Sequence, residues 1–207
     1  NLLAPMLEKE TGLPVVGYLP PLPEAAIESR HLGLKTAVEI DDLQRKIQIL
    51  ADSAQKTIDW PRFTALFDHP APAAVPCTLP PAKVRIAVAR DAAFCFTYAE
   101  TLEALEENGA ELCFFSPLQD AALPTDIGGL YLPGGYPELY AVQLAANTAM
   151  RAAIKAAVES GLPTVAECGG FLYLGQTLQD AGGSAYPMAG VLPGQGVRGG
   201  RLVRFGY

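Results

Sequence analysis

The chain has 207 residues, half of them hydrophobic, and a formal net charge of −7. That is enough apolar material for one good α/β core and some remainder, and no stretch is long and apolar enough to read as a membrane span or a signal peptide. Basic residues are scattered and never clustered, so a nucleic-acid surface is excluded as the main business of the protein, and a small-molecule substrate is the default.

The first predicted element is a short buried strand over "LPVVGYLP" (Leu13 to Pro20), a β-branched run bounded by Gly and Pro. Ile40, Leu43, Ile47, Leu50, Ala51, Ala54 and Ile58 then fall at three- and four-residue steps, the apolar stripe of one helix. A strand and a helix in about 60 residues cannot close a core alone. Residues 1–67 therefore read as the last piece of a domain. "DHPAPAAVPCTLPPA" (Asp68 to Ala82) holds five prolines and no apolar periodicity, which predicts a semi-rigid linker over 68–82.

From residue 83 the rhythm is βαβα. "KVRIAVA" (Lys83 to Ala89), "ELCFFSP" (Glu111 to Pro117), "GGLYLPGG" (Gly128 to Gly135) and "PTVAE" (Pro163 to Glu167) read as strands. Helices are expected over Thr97 to Ala110, over Pro137 to Ser160 with a break near Asn147, and from Gly169 onward. Such alternation predicts a parallel sheet covered on both faces, with ligands beyond the carboxyl ends of its strands. The chain opens on Asn1 instead of methionine and closes on the strand-like "RLVRFGY", so both ends are expected to be cuts in a longer protein and the domain over 83–207 to be incomplete at its C-terminus.

Two loops fall at those carboxyl ends, "PGGYPE" (Pro133 to Glu138) and "AECGG" (Ala166 to Gly170). The second has the form of a nucleophile elbow: strand, cysteine on a tight turn, small neighbours, helix. Ala166 and Gly170 must stay small because chains approach closely there. The turn sets the Cys168 thiol at a helix N-terminus, where unpaired N–H groups favour negative charge, and the Gly169 amide faces an oxyanion on the attacked carbonyl. In the first loop, the Gly134-Gly135 pair leaves amides free to turn toward the same oxygen. Two donors and a thiol make an acyl-transfer site, with Tyr136 and Glu138 near its pocket, although Glu138 also suits the first turn of the following helix. Glu167 is expected to point to the opposite side as a hydrogen-bonding group.

The remaining cysteines, Cys77, Cys95 and Cys113, are widely spaced, with no C-x-x-C and only two histidines in the chain, His31 and His69. That pattern suits neither a metal site nor disulfide staples, and predicts reduced thiols in the cytoplasm. Cysteine usually packs as a small hydrophobe, and Cys95 and Cys113 fit that role. A cysteine nucleophile needs a base, usually a histidine held by a carboxylate. No histidine follows Cys168, and His31 and His69 are poorly placed, so the base is expected beyond Tyr207.

"YLPGGYPELYA" followed by "VAECGGFLYL" resembles the glutamine amidotransferase domain of the cobyrinic acid a,c-diamide synthase family, of the class I, Cys-His-Glu type with a flavodoxin-like parallel sheet. "SRHLGL" (Ser29 to Leu34) is similar to the end of that family's ATP-dependent amidoligase domain, a P-loop-type α/β domain. The resemblance runs from about Leu13 to Tyr207. It implies that Cys168 is the nucleophile, that the Gly135 and Gly169 amides form the oxyanion hole, and that Gly134 and Tyr136 line the glutamine pocket. It also implies that the whole protein uses ATP and Mg²⁺ to activate side-chain carboxylates of a corrinoid acid, cobyrinic or hydrogenobyrinic, and amidates positions a and c with ammonia from glutamine. No cofactor is expected in these 207 residues, no nucleic acid or membrane is implied, and a homodimer is left open. Cobyric acid synthase, the nickel-sirohydrochlorin diamide synthase, a cell-wall amidating enzyme and a non-catalytic amidotransferase-like binding module are the alternatives. A thiol hydrolase with α/β-hydrolase order is weakened, because nothing suggests its nucleophile, acid, base sequence.

Overall fold

The structure is a computed structural model that describes residues 3–30, 33–68, 83–197 and 199. His31, His69, Cys77, nearly all of the expected linker and the strand expected in "RLVRFGY" lie outside them. The chain forms two compact units, Asn1–Val75 and Pro76–Tyr207.

In the first unit, helix α1 (Leu3–Thr11) is followed by a two-stranded ribbon, β1 (Ser29–Arg30) antiparallel to β2 (Gly33–Leu34), and by helices α2 (Leu43–Thr57) and α3 (Trp60–Ala65). The expected apolar helix is α2, which starts at Leu43 instead of Ile40 because a separate 3₁₀ turn occupies Ala37–Glu39. The strand expected at Leu13–Pro20 does not form. Its one pairing is an isolated bridge between Gly17 and Ile58, where a Cβ on Gly17 would lie 2.5 Å from the Thr57 carbonyl oxygen. A β-branched run needs a partner strand to become one, and here the segment lies against a helix end instead. Arg62 joins this segment to α1: its guanidinium donates to Val15 O (3.3 Å) and Glu8 Oε1 (2.8 Å), and the Val15 amide donates to the same carboxylate, holding the Glu8 carboxyl below the usual range.

The second unit is a parallel α/β domain. Strands β3 (Val84–Ala89), β4 (Ala110–Phe115), β5 (Gly129–Leu132) and β6 (Thr164–Ala166) lie in the order β4-β3-β5-β6, all parallel. This is the doubly wound order in which the first strand sits inside the sheet and the chain reverses direction beside it. Helix α4 (Ala99–Glu107) connects β3 to β4; a 3₁₀ turn (Pro137–Tyr140), α5 (Ala141–Ala146) and α6 (Thr148–Glu159) connect β5 to β6. The break between α5 and α6 falls at Asn147, whose side chain caps α6 by accepting from the Met150 amide (3.2 Å) and donates to Pro117 O and Asp120 O.

Alternation along the strands decides the layers. Ala87, Ala89, Leu130 and Leu132 turn one way and are buried with Leu144 of α5 and Met150 and Ile154 of α6. Each fully buried Leu, Met or Ile among them stabilises the fold by about 1.5–3 kcal/mol. Ile86, Tyr131 and Val165 turn the other way and, with Thr101 and Leu105 of α4, line an open groove of about 490 Å³. After β6 comes helix α7 (Gly169–Leu174), then a small sheet the sequence reading did not foresee: β7 (Thr177–Gln179), β8 (Ala185–Pro187) antiparallel to it, and β9 (Gln195–Gly196) parallel to it. The segment between β8 and β9 fastens the end of α7, because the amides of Ala189, Val191 and Leu192 donate to the carbonyls of Tyr173 and Leu174 at 2.9–3.0 Å. Among the described residues no helix is long and apolar enough to cross a membrane.

Candidate active site

The carboxyl ends of β3, β5 and β6 converge on three loops, and the cysteine stands where they meet. Cys168 is the N-cap of α7 with φ 47° and ψ −107°, one of two non-glycine residues with positive φ among the described residues. A side chain held in that region costs of order 1–3 kcal/mol, which neighbours must supply. Three contacts do so. The Glu167 amide donates to Leu132 O (3.0 Å), the Gly170 amide to Glu167 O (2.8 Å), and the Leu172 amide to Cys168 O (3.1 Å). The turn therefore hangs from the end of β5 on one side and from the first turn of α7 on the other. Its apex leaves Cys168 exposed.

Glycine is required on both sides of the thiol for reasons of space. A Cβ on Gly170 would lie 2.0 Å from Leu132 O, and one on Gly135 would lie 2.1 Å from Ala93 O. A Cβ on Gly169 would meet Pro137 Cδ at 2.8 Å and the Gly135 nitrogen at 3.1 Å. The backbones of Gly135 and Gly169, the two sequence candidates for oxyanion donors, thus adjoin, with no room for a side chain between them. With the Gly170 amide spent on Glu167 O, the Gly169 N–H is the first of α7 that the turn does not consume. Gly134 adjoins the cysteine: a Cβ placed there would be 3.5 Å from Cys168 Cβ.

Tyr136, next in the same loop, is 2% exposed, and Glu138 is buried in the first turn of the following 3₁₀ helix. Glu167 faces the open groove on the other side of the sheet, where its Oε2 accepts from the Tyr131 hydroxyl at 2.6 Å. Partial burial and this carboxylate push the Tyr131 hydroxyl up to about 12. Cys95 and Cys113 are half-buried; Arg85 reaches both Glu111 Oε1 (3.0 Å) and Cys113 Sγ (3.1 Å) at the far edge of the sheet. Neither histidine is among the described residues, and no group of three or more His, Cys, Asp or Glu among those residues could hold a metal ion.

The third loop, Asp91–Phe96 after β3, is not among the sequence candidates, and its one hint in "ARDAAF" is a lone acidic residue two positions past an apolar strand. The Asp91 carboxylate accepts from the Ala93 amide (2.8 Å), the Phe94 amide (3.2 Å), Ser116 Oγ (2.8 Å) and the Leu118 amide (2.9 Å). That closes the loop on itself and ties it to the loop after β4. Ala93 and Phe94 are fully buried, and Phe96 pairs with the glycine loop through Phe96 N–H to Gly134 O (3.1 Å).

An exposed cysteine on a strained strand-to-helix turn, with two adjoining glycine backbones beside it, is an arrangement suited to acyl transfer. A family model described as the CobB/CobQ-like glutamine amidotransferase domain matches residues 85–206. The chain is 46% identical over 208 aligned residues to the cobyrinate a,c-diamide synthase of Dehalococcoides mccartyi, covering 97% of this chain and 45% of that protein. It is 42% identical to the cobyrinate a,c-diamide synthase of Salmonella typhimurium, over all of this chain and 46% of that protein. To the hydrogenobyrinate a,c-diamide synthase of Pseudomonas aeruginosa it is 48% identical, over 89% of this chain and 42% of that protein. The chain thus spans less than half the length of these curated relatives. With the match over 85–206 falling on the parallel sheet, the elbow and the glycine loop, the chain belongs to the CobB/CobQ-like glutamine amidotransferase domain family.

Proposed function

We propose that the second unit hydrolyses glutamine through Cys168 and supplies ammonia to an amidoligase that forms the a and c amides of a corrinoid acid. In this reading residues 1–67 are the end of the ATP-dependent amidoligase domain, 68–82 the linker and 83–207 the amidotransferase domain. The observation that carries the chemistry is the strained elbow of Cys168, with the Gly135 and Gly169 backbones adjoining beside it. The acceptor rests on the relatives, which include both cobyrinate and hydrogenobyrinate a,c-diamide synthases.

The step assigned to these residues is acyl transfer. Cys168 Sγ attacks the side-chain carbonyl carbon of glutamine, and the carbonyl oxygen takes the negative charge between the Gly135 and Gly169 amides. The C–N bond breaks, the nitrogen leaves as ammonia with the proton given up by the thiol, and a glutamyl thioester remains. Water then hydrolyses the thioester to glutamate and the free thiol. Gly134 leaves room beside the sulfur, and Tyr136 is the pocket floor. The base is a histidine outside the described residues. ATP and Mg²⁺ belong to the amidoligase reaction, and no described residue is assigned to them. The whole protein works in the cytoplasm, with glutamine and the corrinoid acid as its substrates; a homodimer is compatible with this reading.

The test is Cys168→Ser in the natural protein that carries this chain. Glutamine-dependent diamide synthesis should fall by at least a thousandfold while synthesis from added ammonium salt stays within about twofold. Loss of both activities would make Cys168 a structural residue.

A further inference from the structure

Phe96 is 43% exposed, yet its backbone is anchored to the glycine loop beside the nucleophile. A point 3.4 Å from Phe96 Cβ and 3.5 Å from Cys168 Cβ is the place where a Cβ on Gly134 would sit, so both side chains adjoin that glycine. The backbone of Phe96 is fixed by its bond to Gly134 O (3.1 Å), and its ring meets the Tyr136 ring edge-on at 5.0 Å and 77°. The loop that carries it is closed by the four bonds to Asp91. An aromatic ring needs no such anchoring to sit in solvent. Fixed by backbone, ring contact and loop closure, and still part-exposed next to the glycine that adjoins the thiol, it is suited to receive an apolar surface there. It also stands after β3, beside the reversal of strand order, where doubly wound folds open their crevice.

We infer that Phe96 is a specificity-determining residue: its ring is the apolar wall on which the two side-chain methylenes of glutamine lie when the carbonyl is at Cys168. This rests on the proposed glutamine hydrolysis. A wall at that position favours a side chain that spans two methylenes between its α-carbon and its carboxamide. It leaves the intrinsic reactivity of the thiol to other groups.

The experiment compares two thiol reagents on the natural protein, reading the rate of Cys168 modification by mass spectrometry. One is 6-diazo-5-oxo-L-norleucine, which carries the two methylenes and α-carbon groups of glutamine; the other is iodoacetamide, which carries neither. Phe96→Ala should raise the concentration of the norleucine reagent needed for half-maximal rate about tenfold, or about 1.4 kcal/mol, in keeping with two methylenes returned to water. The iodoacetamide rate should change less than twofold, and Phe96→Leu should recover most of the loss. Equal slowing with both reagents would make the ring a support for the loop, and an unchanged norleucine response would mean that it touches no substrate; either overturns the inference alone. Absence of saturable norleucine labelling in the unsubstituted protein would overturn glutamine hydrolysis, and this inference with it.

Discussion

The α-carbon of Gly170 lies so close to the end of β5 that a Cβ there would be 2.0 Å from the Leu132 carbonyl oxygen. The elbow can turn at Cys168 only because the residue two positions on has no side chain. Gly170→Ala must push α7 away from β5, and overpacking of a buried contact costs about 1–3 kcal/mol or more. Chemical denaturation should show a loss of at least that size. An unchanged midpoint and slope would mean that the elbow is not wedged as described.

Gly134 offers the opposite case. A Cβ there would meet Phe96 and Cys168 at 3.4–3.5 Å, ordinary contact distances, so Gly134→Ala should cost less than about 1 kcal/mol of stability. It should nevertheless slow modification of Cys168 by a glutamine-shaped reagent, because the added methyl stands beside the sulfur. Gly135→Ala, with its Cβ 2.1 Å from Ala93 O, should be destabilising like Gly170→Ala. Parallel unfolding curves and labelling rates for the three variants check the order. Equal behaviour of all three would contradict it.

Much of this site was legible in the sequence because its requirements are local. "AECGG" after a β-branched run specifies a strand, a turn and a helix, and the structure has β6, Cys168 at positive φ, and α7 in that order. Asn147 ended one helix and started another for the reason its side chain suggests: it caps. What was not legible depends on partners distant in the chain. "LPVVGYLP" has strand composition but meets Ile58 of a helix end. The Asp91 loop has no motif of its own; it is defined by Ser116 and Leu118, which the sheet brings to it. The β7-β8-β9 sheet has strands of two or three residues, too short to give a periodicity.

Asp91 accepts four hydrogen bonds and has no substitute in that loop. Asp91→Ala takes the acceptor from the Ala93 and Leu118 amides, while the Phe94 amide keeps the Asp91 carbonyl (3.2 Å), at a cost of about 1–3 kcal/mol. Asp91→Asn, which keeps one acceptor oxygen, should lose less. Thermal unfolding of the two variants should rank them in that order, and a smaller loss for alanine than for asparagine would contradict the role.

The Tyr131–Glu167 pair gives a pH dependence. The Tyr131 hydroxyl is raised from 10.0 to about 12 by partial burial first and by the Glu167 carboxylate second. A group whose folded value is raised contributes stability that is fully present below its unfolded value and is lost as pH rises through the folded one. The loss should therefore fall between about pH 10 and 12. Unfolding midpoints across that range should drop more steeply for the unsubstituted chain than for Tyr131→Phe; superimposable profiles would show that the pair contributes nothing.

The most direct measurement is the site of covalent capture. The natural protein, treated with 6-diazo-5-oxo-L-norleucine and digested, should carry the adduct on the peptide containing Cys168, and excess glutamine should protect it. An adduct on Cys95 or Cys113 with Cys168 unmodified, or labelling that glutamine leaves unchanged, would contradict the assignment of Cys168 as the nucleophile of a glutamine-hydrolysing site.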